Sequence, residues 1–207
     1  MARARAAEEA PRRGRPRSET SRKAILHAAG ELLLEHGLSS ISMEAIAERA
    51  GASKATIYRW WPSKELLALD ALFSDWESGD AGRRDTGSLA GDLLALIRPW
   101  ARQLVSKPYG AVIAALITRA QRDPEFAEEY RARFIRPRRD PARVIFTRAV
   151  ERGEIPPETD IEAALDLLYG PFYHRMLHGH ASLTDRFART IVDYVVAGVS
   201  RPGGPVD

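Results

Sequence analysis

Residues 42–64 favour two short helices joined by a tight turn. Ser42 precedes an apolar-periodic run, and its hydroxyl is suited to accept a hydrogen bond from an amide of the first helical turn. Gly51 ends that run, because glycine readily enters the left-handed conformation that closes many helices. Ser53 then offers a second N-cap, and Pro62 disfavours helical geometry at the residue before it. The predicted helices cover residues 43–50 and 54–60, and Ser63 is predicted to cap the next helix.

The second of these helices has one face to pack and one face left open. At about 100° per residue, Ile57 and Trp61 share a side, with Trp60 close to it. Arg59 lies opposite and can donate two hydrogen bonds to a guanine, while Ala55 allows close approach to a base edge. Hydroxyls and ammonium groups beside them can donate to phosphates. The predicted DNA-contacting residues here are Ser42, Ser53, Lys54, Ala55, Thr56, Tyr58, Arg59, Trp60 and Lys64.

A plain helical hairpin is the alternative for this segment. In that interpretation Tyr58 and Trp60 belong to a small core, and the pair of helices has no part in DNA binding.

Residues 21–69 resemble the DNA-binding domain of TetR-type transcriptional repressors. The resemblance rests on A-A-x-x-L-L-L-x-x-G at 28–37, I-A-x-x-A-G-x-S-x-x-T-I-Y at 46–58 and P-S-K-E-x-L at 62–67. It implies a homodimer that binds double-stranded DNA at a palindromic operator, represses transcription, and is released by a small, largely apolar effector. Many members carry His or Tyr followed by Phe where this chain has Trp60-Trp61, so a contact at position 60 is left open.

Charge is distributed unevenly along the chain. The net charge is +3, with 12 Lys/Arg and 9 Asp/Glu in residues 1–70 and 19 of each in the rest. Such an excess of positive charge beside the second predicted helix, residues 54–60, called the reading helix below, is typical of phosphate binding.

Cysteine is absent, which excludes disulfides and thiolate chemistry and fits a reducing compartment. No apolar run reaches the length of a membrane span, so we predict a soluble, cytoplasmic protein.

Residues 1–19 are rich in Arg, Ala and Pro and are predicted to form a disordered basic arm. The segment R-G-R-P-R at 13–17 resembles the core of an AT-hook, so Arg15 and Arg17 are predicted to enter the minor groove. A solvated tail that raises only non-specific affinity is the alternative.

Every strong pattern beyond the reading helix is also helical. We predict an all-α fold of about nine or ten helices, with Pro99 and Pro171 bending two of them and Asp140-Pro141 starting another. A DNA-binding domain with a connector helix is predicted for residues 20–77, a linker for 78–88, a larger effector-binding and dimerisation domain for 89–200, and a flexible tail for 201–207.

The last two predicted helices carry more apolar surface than a small domain needs. In TetR regulators the equivalent pair forms a four-helix bundle with its mate, so the resemblance implies a homodimer. Burial of both stripes within one chain is the alternative, since periodicity does not assign burial partners.

Aromatic side chains are frequent in the larger predicted domain, and pockets between helices are mostly apolar. Side chains at this helical spacing usually pack in the core, so most of these aromatics are predicted to be core residues, yet any one of them can line a pocket. The candidates for effector binding are Trp100, Tyr109, Phe126, Phe134, Phe146, Tyr169, Phe172, Tyr173 and Met176.

Two other classes of function find less support. A metal site on His174 and His178 would place two ligands on one helix face, but an H-E-x-x-H pattern is missing, and we predict neither a metal nor a cofactor. The sequence shows no G-x-S-x-G elbow and no phosphate-binding loop, so we predict no enzyme. A dimeric helical scaffold without specific DNA binding remains the alternative function.

Overall fold

The computed structural model describes residues 15–77, 84–106 and 109–200, and over these ranges it contains helices and no strand. Two helices and the π-helical segment between them run without a break over residues 124–151. The described residues therefore form nine continuous helices, as the all-α prediction requires. No helix among them is both long and apolar enough to span a bilayer. The elements are α1 (Arg15–His36), α2 (Met43–Ala50), α3 (Lys54–Tyr58), α4 (Lys64–Glu77), α5 (Leu89–Val105), α6 (Tyr109–Arg122), α7 (Pro124–Tyr130), a π-helical segment (Arg131–Ile135), α8 (Arg136–Glu151), α9 (Ile161–His178) and α10 (Asp185–Val199).

The N-terminal part is built on α1, which packs against both α2 and α4. Its apolar stripe meets the inner faces of the other helices, and Ile25, Leu33, Ile46 and Ile57 are fully buried. Burying an aliphatic side chain of this size contributes about 1.5–3 kcal/mol, so these contacts hold the short α2 and α3, which are too short to be stable alone.

Helix α1 begins at Arg15, five residues before the predicted start of the DNA-binding domain at residue 20. The prediction that residues 15–19 belong to a disordered arm was therefore wrong. Pro16 is tolerated because the first amides of a helix have no intrahelical acceptor, so a missing N–H there costs no hydrogen bond. The rest of the predicted arm, residues 1–14, lies outside the described residues, as do the predicted tail at 201–207 and residues 78–83 of the linker.

The described end of the linker is fastened to the start of α5 by a buried carboxylate. Asp92 is 1% exposed and accepts hydrogen bonds from both the amide and the hydroxyl of Thr86 and from Arg148. Burial raises the pKa of Asp92, but the hydrogen bonds from Thr86 and Arg148 outweigh it and hold this pKa below its ordinary value. The carboxylate therefore stays ionised and joins α5 to α8.

In the C-terminal part, α5 packs against α8 and α10, and α9 packs against both of them. Trp100 of α5 lies at the centre, 1% exposed, with the rings of Tyr169, Phe172 and Tyr173 at centroid distances of 5.2, 5.2 and 5.7 Å. Aromatic pairs at such distances add about 0.5–1.5 kcal/mol beyond burial. This cluster fixes α9 against α5.

The predicted helix start at Asp140-Pro141 was wrong, because α7, the π-helical segment and α8 run through it. Pro137 occupies the first turn of α8 and Pro141 its interior. The wider π-helical turn precedes them, and the Arg136 amide donates there to the carbonyl of Arg131, five residues back. Buried side chains on the same run, Phe134 and Ile145 among them, keep the helix continuous across both prolines.

Candidate nucleic-acid interface

The turn between α2 and α3 is closed by the residues that the sequence predicts. Ser42 caps α2 by accepting from the amide of Ala45 at 3.1 Å. Gly51 has a φ of +60°, a conformation that costs roughly 1–2 kcal/mol with any Cβ present. Ser53 then caps α3 by accepting from the amide of Thr56 at 3.2 Å. The two caps and the glycine set the angle at which α3 leaves α2.

The inner side of α3 is anchored through two side chains. Ile57 is fully buried and Trp61 is 1% exposed. The indole Nε1 of Trp61 donates to Oδ2 of Asp70 on α4 at 2.8 Å, so its buried N–H is satisfied. The helix itself ends at Tyr58, two residues before the predicted end, although the Trp61 amide still donates to the Ile57 carbonyl. The reading helix is thus held from behind by α4.

The outer side of α3 is open, as predicted. Ala55, Tyr58 and Arg59 are exposed, Tyr58 at 49%. No carboxylate within the described ranges forms an ion pair with Arg59, whose guanidinium lies 5.3 Å from the ring centroid of Trp60. Trp60 in turn packs edge-on against Trp61 at 5.5 Å. The indole of Trp60 therefore supports Arg59 from the side, whereas a direct contact of Trp60 with DNA stays a prediction.

Three further predicted contacts surround this face. Lys54 is exposed and pairs with Glu44 at 2.8 Å, and that hydrogen bond raises the pKa of Lys54. The hydroxyls of Ser53 and Thr56 lie 2.9 Å apart and bond to each other. These groups are near the open face but already have partners, so a phosphate has to compete for them.

Lys64 lies at the edge of the exposed face, beside the start of α2. The ammonium group donates to the carbonyl of Ile41 at 3.2 Å, which places it beside Ser42, an exposed residue. A lysine and a helix N-cap on one edge can contact a single phosphate together. Arg15 and Arg17, predicted to belong to the disordered arm, lie in the first turn of α1, and their contact with DNA stays a prediction.

Among the cavities lined by the described residues of the C-terminal part, two are large enough to hold a small molecule. The first, of about 330 Å³, lies between α8 and α9 and is lined by Ile135, Arg138, Arg139, Asp166, Tyr169, Gly170 and Tyr173. The second, of about 600 Å³, lies where α5 and α6 meet the end of α9, and Met176 lines it. Of the predicted effector-binding residues, Tyr169 and Tyr173 line the first cavity. The other six are core side chains: Trp100, Tyr109, Phe126, Phe134, Phe146 and Phe172.

Sequence reasoning missed the polar residues that connect the two parts of the molecule. Asp70 of α4 accepts from Trp61 and also from Arg133 of the π-helical segment, at 3.2 Å. Arg22 of α1 approaches the same carboxylate at 3.8 Å. These partners are up to 63 residues apart, and no local pattern indicates them.

The imidazoles of His174, His178 and His180 cluster at the end of α9, with centroids as close as 4.7 Å. All three are exposed. Over the part of the chain that the structure describes, no group of three or more His, Cys, Asp or Glu side chains is arranged to hold a metal ion.

A capped α2, a left-handed glycine turn and an α3 that buries one side and exposes an arginine on the other define a helix-turn-helix DNA-binding protein. Comparison with known proteins identifies the family. Residues 25–71 match the profile of bacterial regulatory proteins of the tetR family, and residues 83–195 match the tetracyclin repressor-like C-terminal domain. The chain belongs to the TetR family of transcriptional regulators.

The sequence similarity to relatives extends over nearly the whole chain. YdeS of Bacillus subtilis, an HTH-type transcriptional regulator, is 41% identical over 91% of this chain and 94% of its own. A DNA-binding transcriptional repressor of Mycobacteroides abscessus, also called TetR, is 33% identical over 90% and 97%. The crystal structure of the TetR family regulator SCO0332 superposes with a TM-score of 0.79 at 37% identity, covering 86% of this chain and 98% of the other. All three proteins are transcriptional regulators.

Proposed function

We propose that this DNA-binding regulator is a homodimeric repressor, which binds a palindromic operator through two copies of α3 and is released by a small, largely apolar effector. The observation that carries the DNA-reading part is the exposed Arg59, backed by Trp60 and without a carboxylate partner in the described ranges. Repression is supported by the Mycobacteroides abscessus relative, a DNA-binding transcriptional repressor that is 33% identical to this chain.

Dimerisation is supported by apolar side chains left in solvent on the last two helices. Leu167 and Leu177 of α9 are 62% and 47% exposed, and Tyr194 of α10 is 72% exposed. The two helices pack against each other, and each carries apolar side chains in solvent that a second copy of the chain can cover. A two-fold interface there would present two reading helices to sites about one DNA turn apart.

Effector release is supported by the position of the π-helical segment. Its last residue, Ile135, lines the 330 Å³ cavity, while Arg133 on the same segment bonds to Asp70 of α4. The segment packs against α4, and α4 holds the reading helix through Trp61. A ligand that binds one position of this segment better than another shifts α4 and changes the affinity for DNA.

The dimer is tested by placing charge on its proposed interface. We expect the double variant Leu167→Glu/Tyr194→Glu to sediment as a monomer while the parent protein sediments as a dimer, because two pairs of like charges would be buried at the two-fold contact. Affinity for a two-half-site duplex should fall at least tenfold, while affinity for one half-site is unchanged. Leu34→Glu, an exposed leucine on α1, is the matched control. A double variant that remains dimeric contradicts the proposed interface.

A further inference from the structure

The cavity at the ends of α5 and α9 has apolar walls and one charged residue among the described residues that line it, Arg175. Its volume of about 600 Å³ falls within the range of roughly 300–1,000 Å³ for ligand sites. None of these lining residues is aromatic or acidic, and most of them are aliphatic: Leu104, Val105, Ala111, Ala114, Met176 and Leu183. A single arginine therefore gives this cavity its charge.

Arg175 is held in the wall by two contacts. Its guanidinium carbon lies 3.5 Å from the ring centroid of Phe187, and Phe187 packs in turn against the buried Phe172 at a centroid distance of 5.2 Å. Its Nη1 donates to the carbonyl of Ser182 at 2.8 Å, and Ser182 also lines the cavity. The guanidinium is thus oriented before a ligand arrives, which lowers the entropic cost of binding one.

One edge of this guanidinium is left for a ligand. Within the described ranges, Nε and Nη2 of Arg175 form no hydrogen bond, no carboxylate pairs with them, and neither atom is buried. The same two nitrogens of Arg102 hold the carboxylate of Asp185 elsewhere in this structure. Arginine binds carboxylates through such a pair of parallel hydrogen bonds. A carboxylate is therefore the group that fits the free edge of Arg175.

The rest of the wall is suited to a flexible aliphatic chain. Val105 is 50% exposed, so a chain laid along the cavity removes apolar surface of the protein from water together with its own. Met176 has an unbranched, adaptable side chain that can follow the shape of such a neighbour. Because the described wall offers no second cation, it favours a ligand with its charge at one end only.

We propose that this cavity binds a medium-chain aliphatic carboxylate, with the carboxylate on Nε and Nη2 of Arg175 and the chain between α5, α6 and α9. The site shares no described lining residue with the cavity between α8 and α9 on which effector release is argued. It therefore goes beyond the proposed function, and its test involves no DNA.

Three probes test the proposal by titration calorimetry on the full-length protein, at a pH of about 7.5 where carboxylic acids are ionised. Octanoate has both the charge and the chain, 1-octanol has the chain without the charge, and butyrate has the charge on a short chain. We expect octanoate to bind at least tenfold more tightly than either of the others. Octanoate that binds no more tightly than 1-octanol or butyrate, or that does not bind, overturns the proposal.

A pair of variants assigns the charge. Arg175→Met should bind octanoate no more tightly than 1-octanol, because it removes the carboxylate partner and keeps an apolar side chain of similar length. Arg122→Met, on an exposed arginine of α6, should keep the tenfold preference. A preference for octanoate that survives in Arg175→Met overturns the proposal.

A second pair locates the site without touching Arg175. Ala111→Leu narrows the cavity from α6 and should weaken both octanoate and 1-octanol at least tenfold, even if Arg175→Met fails to fold. Ala132→Leu is the matched control, because Ala132 is also an exposed alanine but does not line the cavity, and it should leave both affinities unchanged. Undiminished binding to Ala111→Leu places the acid elsewhere and overturns the proposal.

Discussion

Arg59→Ala is expected to lower the affinity for the operator at least about 30-fold while leaving non-specific DNA binding nearly unchanged. A bidentate arginine–guanine pair contributes about 1–3 kcal/mol of discrimination, and a dimer would lose two of them. The side chain is exposed and its guanidinium lies over the ring of Trp60, so the thermal stability should remain within the range of ordinary surface substitutions. Fluorescence anisotropy with the operator and with a scrambled duplex measures both affinities.

Arg122→Ala is the matched control for this substitution. It removes the same charge from an exposed position on α6, so it reports the loss of general electrostatic attraction alone. Equal loss of affinity in the two variants contradicts a reading role for Arg59. A scaffold without DNA-reading function would require that Arg59→Ala change nothing.

The second large effect is expected at Asp70 of α4, which bonds both to Trp61 behind the reading helix and to Arg133 in the C-terminal part. Asp70→Asn preserves an acceptor for Trp61 but removes the charge that faces Arg133 and Arg22. The Asp70 side chain is 15% exposed and that of Arg133 34%, so we expect a loss of about 1–2 kcal/mol in the free energy of unfolding, less than for a fully buried pair.

A double-mutant cycle assigns this loss to the proposed contact. Asp70→Asn and Arg133→Gln, measured singly and together in urea at one protein concentration, should show a coupling of at least about 0.5 kcal/mol. Glu65→Gln is the control, because Glu65 also lies on α4 and faces Arg119 of α6, but at 3.7 Å and with Arg119 about half exposed. Additive losses at Asp70 and Arg133 contradict a direct connection between the π-helical segment and α4.

The parts of this structure that the sequence predicted are those decided by neighbouring residues. Ser42, Gly51 and Ser53 act within four positions of the atoms they satisfy, so capping rules locate the turn correctly. The same reasoning identifies Arg59 on the open face, because the direction of a side chain on a short helix follows from its period.

The parts that the sequence missed depend on distant partners. The rule that proline favours the first turn of a helix predicts a start at Pro141. Burial of Phe134 and Ile145 instead keeps the chain helical on both sides of Pro141. Nothing in the local sequence separates the buried Arg138 from its exposed neighbour Arg136. The burial of Arg138 depends on packing against Tyr109 and Phe134, which are distant or on another turn. Aromatic residues in the cavity and in the core likewise share one spacing, so periodicity alone does not separate them.

We infer that a dimer reads DNA through Arg59, and selection from a pool of random duplexes at near-physiological salt shows whether it does. We predict enrichment of a palindrome with a guanine at symmetric positions, and its loss when Arg59→Ala protein is used. Weak, salt-sensitive binding without an enriched sequence would contradict the claim, because phosphate contacts alone produce that result.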